Sequence, residues 1–350
     1  MFRRLCLLFL LVFVTGKISA QFDTAYAVKY PDRLGISLFQ SNPSFVIDIS
    51  QKMNPDSQAV SNVHYTTLAK SINGFGFFYD KISLFVGFKS PLNKEEKFKK
   101  GRTTTTQIGL AITGVKLRIE AAVKSYRGLY DAYSPNYIPD FGDSTPYFQN
   151  PDLRNHFFKV KAFYFLNKKK RFSYGAAYVN NVRQIKSAGS FIISSNLYSS
   201  HIYAPKIVPS PLDTFYSPWQ NWNSFRVTAI SCGIGYTHTF TIFKRGFINL
   251  LATLGMEERH IVQSTEAGDP AYDSWEMSVN SYDFRSSIGF NSKYFFISIQ
   301  SIVDGTVYST PSMEIKSGAL SGFLNIGYRF RVKTPGFYKA FQKTRVYGWI

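Results

Sequence analysis

The chain has 350 residues, a formal charge of +19 at neutral pH, 17% aromatic residues (33 Phe and 23 Tyr) and two cysteines. Past residue 20 no stretch of about 18 apolar residues occurs, which excludes a helical membrane protein, and only Cys232 remains there, which excludes an intrachain disulfide. Such an excess of Lys and Arg suits nucleic acid in the cytosol, whereas an exported chain meets anionic lipid headgroups, lipopolysaccharide-type glycolipids or anionic solutes.

Residues 1–20 read as a cleaved signal peptide. Arg3 and Arg4 give the positive start, and Leu5 to Val14 form an apolar core too short to span as a helix. Ile18-Ser19-Ala20 supplies a small-residue cleavage site before Gln21. Removing Arg3, Arg4 and Lys17 leaves +16.

Residues 21–333 then alternate with period two almost throughout, as strands do. Twelve strands are predicted, over 34–50, 64–79, 81–89, 103–113, 115–126, 155–166, 171–181, 224–242, 247–261, 280–291, 293–308 and 318–332. The clearest is Phe225–Phe243, where Ile230, Ile234, Tyr236, Phe240 and Ile242 oppose Ser231, Gly233, Gly235, Thr237 and Thr239. A greasy face against a face of small polar residues suits a crowded barrel interior with lipid outside. Short turns (Tyr79–Lys81, Thr113–Gly114, Asn167–Lys170, Phe243–Gly246, Asn291–Lys293) alternate with longer polar loops. Barrels of this class keep the short turns periplasmic, which gives every strand a direction and puts both termini inside.

One segment breaks that alternation. Phe191–Tyr203 also reads as a strand, and fourteen strands is the alternative count. The expectation is that it belongs to an excursion from Arg183 to Asn223, with Tyr174 and Tyr178 facing lipid. Arg183, Gln184, Lys186, Ser187 and Ser190 then turn back over the lumen as a constriction.

Asn325–Val332 has the polar, glycine, aromatic and apolar spacing of a terminal strand read by barrel-assembly machinery. A basic aromatic tail, 334–350, follows it as a flap, an anchor, a plug or a segment against the barrel rim.

Three stretches carry a family resemblance: "FDTAYAVKYPDRLGISLF" (Phe22–Phe39), "RFSYGAAYVNNVRQIKSAGSF" (Arg171–Phe191) and "GFLNIGYRFRV" (Gly322–Val332). Over essentially the whole mature chain the sequence resembles a Bacteroidetes family called domain of unknown function 4421. The resemblance implies an outer-membrane barrel and brings no assigned activity.

Chemistry-bearing patterns are sparse. His64, His156, His201, His238 and His260 have no metal-ligand spacing, and none has Ser two residues on, as a barrel-borne hydrolase with both groups on one strand face needs. Glu257 and Glu258 are adjacent, so they point to opposite faces. The inward positions carry Lys116, Arg118, Lys124, Lys159, Lys161, Arg285, Arg329 and Arg331 against Glu120, Glu257 and Asp283. Fixed charge of one sign biases a lumen toward the opposite ion.

The sequence thus predicts an all-β, transmembrane, antiparallel up-and-down β-barrel of about twelve strands in the cell outer membrane. It is monomeric, touches outer-membrane lipid and anionic glycolipid, and has no nucleic-acid partner, no cofactor and no metal. The leading functional expectation is a porin-like passive pore, or a binding site, for small anionic solutes. A closed structural or surface-interaction barrel, with its cations paired, is the second reading. An outer-membrane hydrolase is the third; no enzyme is expected.

Overall fold

The computed structural model describes residues 22–51, 62–68, 71–91, 93–217, 220–265, 270–310, 313–344 and 347, so the predicted signal peptide lies outside the described residues. The strands among them are β1 (Ala27–Lys29), β2 (Arg33–Gln51), β3 (Val63–Thr66), β4 (Ile72–Tyr79), β5 (Ile82–Lys89), β6 (Thr104–Thr113), β7 (Leu117–Asp131), β8 (Gln149–Phe165), β9 (Val182–Gln184), β10 (Ala188–Tyr203), β11 (Trp222–Ile242), β12 (Gly246–Thr265), β13 (Pro270–Asn291), β14 (Phe295–Ser309) and β15 (Met313–Arg331).

Twelve of these form one antiparallel ring in the order β2, β4, β5, β6, β7, β8, β10, β11, β12, β13, β14 and β15. It closes where β15 pairs with β2 from Arg331↔Arg33 to Met313↔Gln51. Among the described residues closure gives every wall strand two neighbours, so the lipid-facing band presents no open sheet edge, which hydrocarbon would not tolerate. The polarity of the two faces is reversed from that of a water-soluble protein. Ile234 is 73% exposed on the outside while Thr237, three residues on and on the opposite face, is 0% exposed within. Lipid, not water, is the outer solvent of this band.

That reversal holds for only part of the height. Higher on β11 the buried inward residues are Phe225, Val227 and Ala229, and the outward Arg226 is exposed. The outer end is therefore apolar inside and polar outside, as a segment standing in water must be. The wall also narrows there. β5 and β6 stop at 8 and 10 residues. Above them β3 pairs with β2 on one side and β7 on the other, giving ten strands round the outer end. β7 changes partner at Gly128, a bulge with φ +76° whose added Cβ would lie 2.2 Å from the Arg102 carbonyl oxygen. Only glycine suits that position.

The strand count matches the sequence expectation, but one of the strands does not. Residues 171–181 are not a wall strand: Tyr174–Tyr178 form a five-residue helix inside the barrel, with every residue buried. The strand in that place is β10, the segment that read as a misfit, paired with β8 from Ile192↔Phe165 and with β11 from Ala188↔Thr239. Tyr174 and Tyr178 accordingly face the lumen and not lipid. The chain enters the barrel after β8 at the short-turn end, forms this plug, and only then crosses as β10.

The plug survives without a ladder because polar side chains of the wall take the place of neighbouring strands. Ser287 Oγ donates to the Ala177 carbonyl at 2.8 Å, Gln300 Nε2 to that of Tyr178 at 3.2 Å, and Asn291 Nδ2 to that of Val182 at 2.9 Å. Arg329 Nε donates to the Asn180 carbonyl at 2.9 Å, with its guanidinium stacked on Tyr30 and Phe296 at 4.4 and 4.8 Å. Buried backbone groups need such partners wherever no ladder supplies them. β9 pairs with β1, tying the N-terminal segment into the same plug.

At the short-turn rim the helix Gly336–Gln342 and Tyr347 settle against the β4–β5 turn. Tyr338 and Tyr347 hydroxyls donate to Asp80 Oδ2 at 3.0 and 2.6 Å, and Lys81 Nζ donates to the Tyr347 carbonyl at 2.5 Å. The described part of the tail is thus a rim segment; residues 345, 346 and 348–350 lie outside the described residues. Asp80 has φ +46°, so Asp80→Gly keeps the turn and removes the one carboxylate oxygen that accepts from both hydroxyls. Limited trypsin digestion should then cut at Lys339 and Lys343 several-fold faster while barrel melting stays put. Unchanged digestion would mean that Asp80 does not hold the tail.

Candidate functional site

The inward residues at mid-height build a charged girdle. Arg285 Nε sits 2.9 Å from Asp283 Oδ1 and its Nη2 2.5 Å from Glu120 Oε1, while Nη1 donates to Tyr174 OH at 2.7 Å. Arg118 Nη2 pairs with Glu120 Oε2 at 2.9 Å, and Lys161 Nζ with Asp283 Oδ2. Three cations and two carboxylates from β7, β8 and β13 are thereby locked to one another and, through Tyr174, to the plug. The forked guanidinium of Arg285 is what lets one side chain serve both acids and a phenol.

Above the girdle lies a chamber of about 310 Å³. Tyr174 and Tyr178, stacked 4.5 Å apart, are among its lower lining, and Tyr126, Phe157, Tyr198 and Tyr308 line it toward the outer end. Gly109 leaves its part of the wall bare, while Ile72 and Phe39 pack over Gly87. Lys124, Lys159 and Glu257 also line it, and Glu257 accepts from Tyr198 OH at 2.8 Å. Asn196 and Asn325, both more than nine-tenths buried, share the lining, and their side-chain oxygens have no hydrogen-bond partner among the described residues.

Both mouths of the barrel are filled. At the short-turn end Phe172, Tyr174 and Tyr178 pack with Phe163, Phe165, Phe247 and Leu251. At the outer end the connection between β10 and β11 folds inward. Ile207, Val208, Leu212 and Tyr216 are buried against Ile49, Val63, Val227 and Ile261. Tyr65 OH donates to the Ile207 carbonyl at 2.6 Å, and Tyr216 OH to that of Ile49 at 3.2 Å.

The inward cations named from the sequence fall into four sets. Arg118, Lys161 and Arg285 make the girdle, and Lys124 and Lys159 line the chamber. Arg329 is buried in the plug. Lys116, half-buried, lies in the β6–β7 turn, and Arg331 is exposed at the inner end of β15, so neither reaches the chamber. The supposed constriction is dispersed. Gln184 is buried in the plug, donating from Nε2 to the Arg171 carbonyl at 2.6 Å, and the half-buried Arg183 adjoins it in β9. Lys186 and Ser187 are exposed at the inner rim, and Ser190 is a wall residue of β10. Nothing in Arg183–Ser190 arches over the lumen from outside, because that stretch lies at the opposite end of the barrel.

Tyr174, Tyr178, Tyr198 and Asn196 were missed as site residues. For Asn196 and Tyr198 the sole sequence signal is inward parity, legible only once β10 is known to be a wall strand, while Tyr174 and Tyr178 lie in the plug helix, where strand parity does not apply. Among the described residues no three His, Cys, Asp or Glu side chains gather as a metal site would require.

A closed twelve-stranded barrel, greasy outside and polar within its lipid-facing band, is the architecture of an outer-membrane β-barrel protein, here with both mouths filled. Residues 21–330 match the family described as Domain of unknown function (DUF4421), and the chain belongs to that family. No curated protein sequence matches it. Among solved structures it is similar to the outer membrane protease OmpT from Escherichia coli, at 9% identity and TM-score 0.39, over 86% of this chain and 98% of that one. It is also similar to the translocator domain of the autotransporter NalP from Neisseria meningitidis, at 9% identity and TM-score 0.33, over 86% and 89%. The P. putida toluene transporter TodX matches at 8% identity and TM-score 0.28, over 87% and 91%. At such identities the likeness concerns the fold alone.

Proposed function

We propose that this protein is an occluded outer-membrane barrel that binds a small anionic solute in its lumen and does not act as an open pore. The observation that carries this reading is the filling of both mouths around a chamber with excess positive charge. Arg118, Lys124, Lys159, Lys161 and Arg285 stand there against Glu120, Glu257 and Asp283. The reading includes a cleaved leader, a monomer in contact with outer-membrane lipid and anionic glycolipid, and assembly through Asn325–Val332 at the end of the closing strand β15.

Ion current in a planar bilayer under a salt gradient is the test. The refolded protein should stay silent while heat-modifiable migration shows an intact barrel. Steady channels with an anion-selective reversal potential would restore the porin-like reading.

A hydrolytic reading has one observation in its favour. On the outer surface His201 Nε2 lies 3.0 Å from Ser224 Oγ, and His156 Nδ1 lies 3.1 Å from Ser125 Oγ. The other nitrogen of His156 meets Tyr203 OH at 3.0 Å, and among the described residues no carboxylate orients either ring. Serine activation needs that third group, so binding is preferred. Labelling of Ser224 or Ser125 by a fluorophosphonate would reverse the order.

A further inference from the structure

Resting on the lumen being a binding chamber, we infer that its ligand is a small aromatic carboxylic acid whose carboxylate meets Lys124. Lys124 projects from β7 into the chamber, and no hydrogen bond or ion pair reaches its ammonium from any described residue. The other β7 cation of the chamber, Arg118, is already paired with Glu120. A partly buried ammonium that opens into the chamber without a counter-ion is matched by an anionic ligand, which supplies the missing charge.

The rest of the chamber describes the remainder of the ligand. Phe39, Phe85, Phe157 and Phe323 contribute rings to its lining, which suits a flat apolar body. At about 310 Å³ the space lies near the lower bound of small-molecule pockets, roughly 300–1,000 Å³, which selects a single ring over a long acyl chain. The unpartnered oxygens of Asn196 and Asn325 call for a donor, so a ring hydroxyl or N–H completes the class.

Three matched probes separate these features: 4-hydroxyphenylacetate, its neutral amide 4-hydroxyphenylacetamide, and the cation tyramine. Each is titrated calorimetrically into the full-length barrel in lipid nanodiscs. The acid should bind at least about tenfold tighter than the amide, as a charge-assisted contact does, and tyramine should not bind. Lys124→Met should bring the acid down to about the affinity of the amide while the amide, which loses much less, still binds, which a misfolded variant would not do. Gly109→Phe places a ring in the chamber, since a Cβ there meets nothing nearer than 3.9 Å, and should abolish binding of both.

Equal binding of tyramine and the acid, or an acid-to-amide ratio unmoved by Lys124→Met, would overturn the ligand class while leaving the chamber as a binding site. Binding of none of the three probes to the wild-type barrel would overturn the inference. Binding that persists unchanged in Gly109→Phe would instead sink the chamber reading, and the inference with it.

Discussion

Arg285→Met is expected to destabilise the barrel by about 3–5 kcal/mol, the usual cost of removing one partner from a buried ion network. Among the described residues the guanidinium is the only group that touches Glu120, Asp283 and the Tyr174 hydroxyl together. Without it two carboxylates remain in the girdle with Arg118 and Lys161 alone, and the plug loses its Tyr174 tie to β13, keeping those of Ser287 and Asn291. Arg285→Lys should recover only part of the loss, because a single ammonium cannot span the three acceptors. Urea unfolding in lipid vesicles, followed by heat-modifiable mobility, measures both variants. A loss below about 1 kcal/mol for Arg285→Met would mean that the girdle is solvated in the native protein and does not hold the plug.

Opening the lumen should take two changes. Replacing residues 172–184 by a short Gly-Ser linker removes the inner plug, and replacing 205–217 removes the outer lid; each alone should leave a silent barrel. Together they should give steady, anion-selective channels, because Lys124, Lys159 and Arg329 then face a continuous aqueous path. Ser287, Asn291 and Gln300 lose their plug carbonyls but gain water, so the wall itself should stand. Current from the plug deletion alone would show that the lid does not seal. A silent double variant with an intact barrel would mean that the girdle blocks the lumen by itself. Deleting 183–203, the first part of the Arg183–Asn223 excursion expected from the sequence, should instead destroy the barrel. It removes β10, which is paired from Ala188↔Thr239 to Tyr203↔Ser224 along β11.

The sequence by itself determined the class of structure. Side chains on a strand alternate between two solvents, so Ile234, Tyr236 and Phe240 against Gly235, Thr237 and Thr239 report lipid on one side and a crowded interior on the other. Short turns alternating with long loops then gave the count of twelve. The sequence did not determine which of two strand-like segments flanking Ile185 crosses the membrane. Phe172, Tyr174, Ala176 and Tyr178 alternate as well as any wall strand, yet they belong to a plug. What decides is where backbone donors and acceptors find partners. Ser287, Asn291, Gln300 and Arg329, more than a hundred residues downstream, supply them inside the lumen, while β8 and β11 supply a full ladder to 188–203. The same limit applies to charge. Alternation placed Arg118, Lys124, Lys161 and Arg285 on the inside, but only the tertiary structure decided which of them meet a carboxylate and that Lys124 does not. Ion pairing across a barrel depends on register between strands distant in sequence, which no local pattern records.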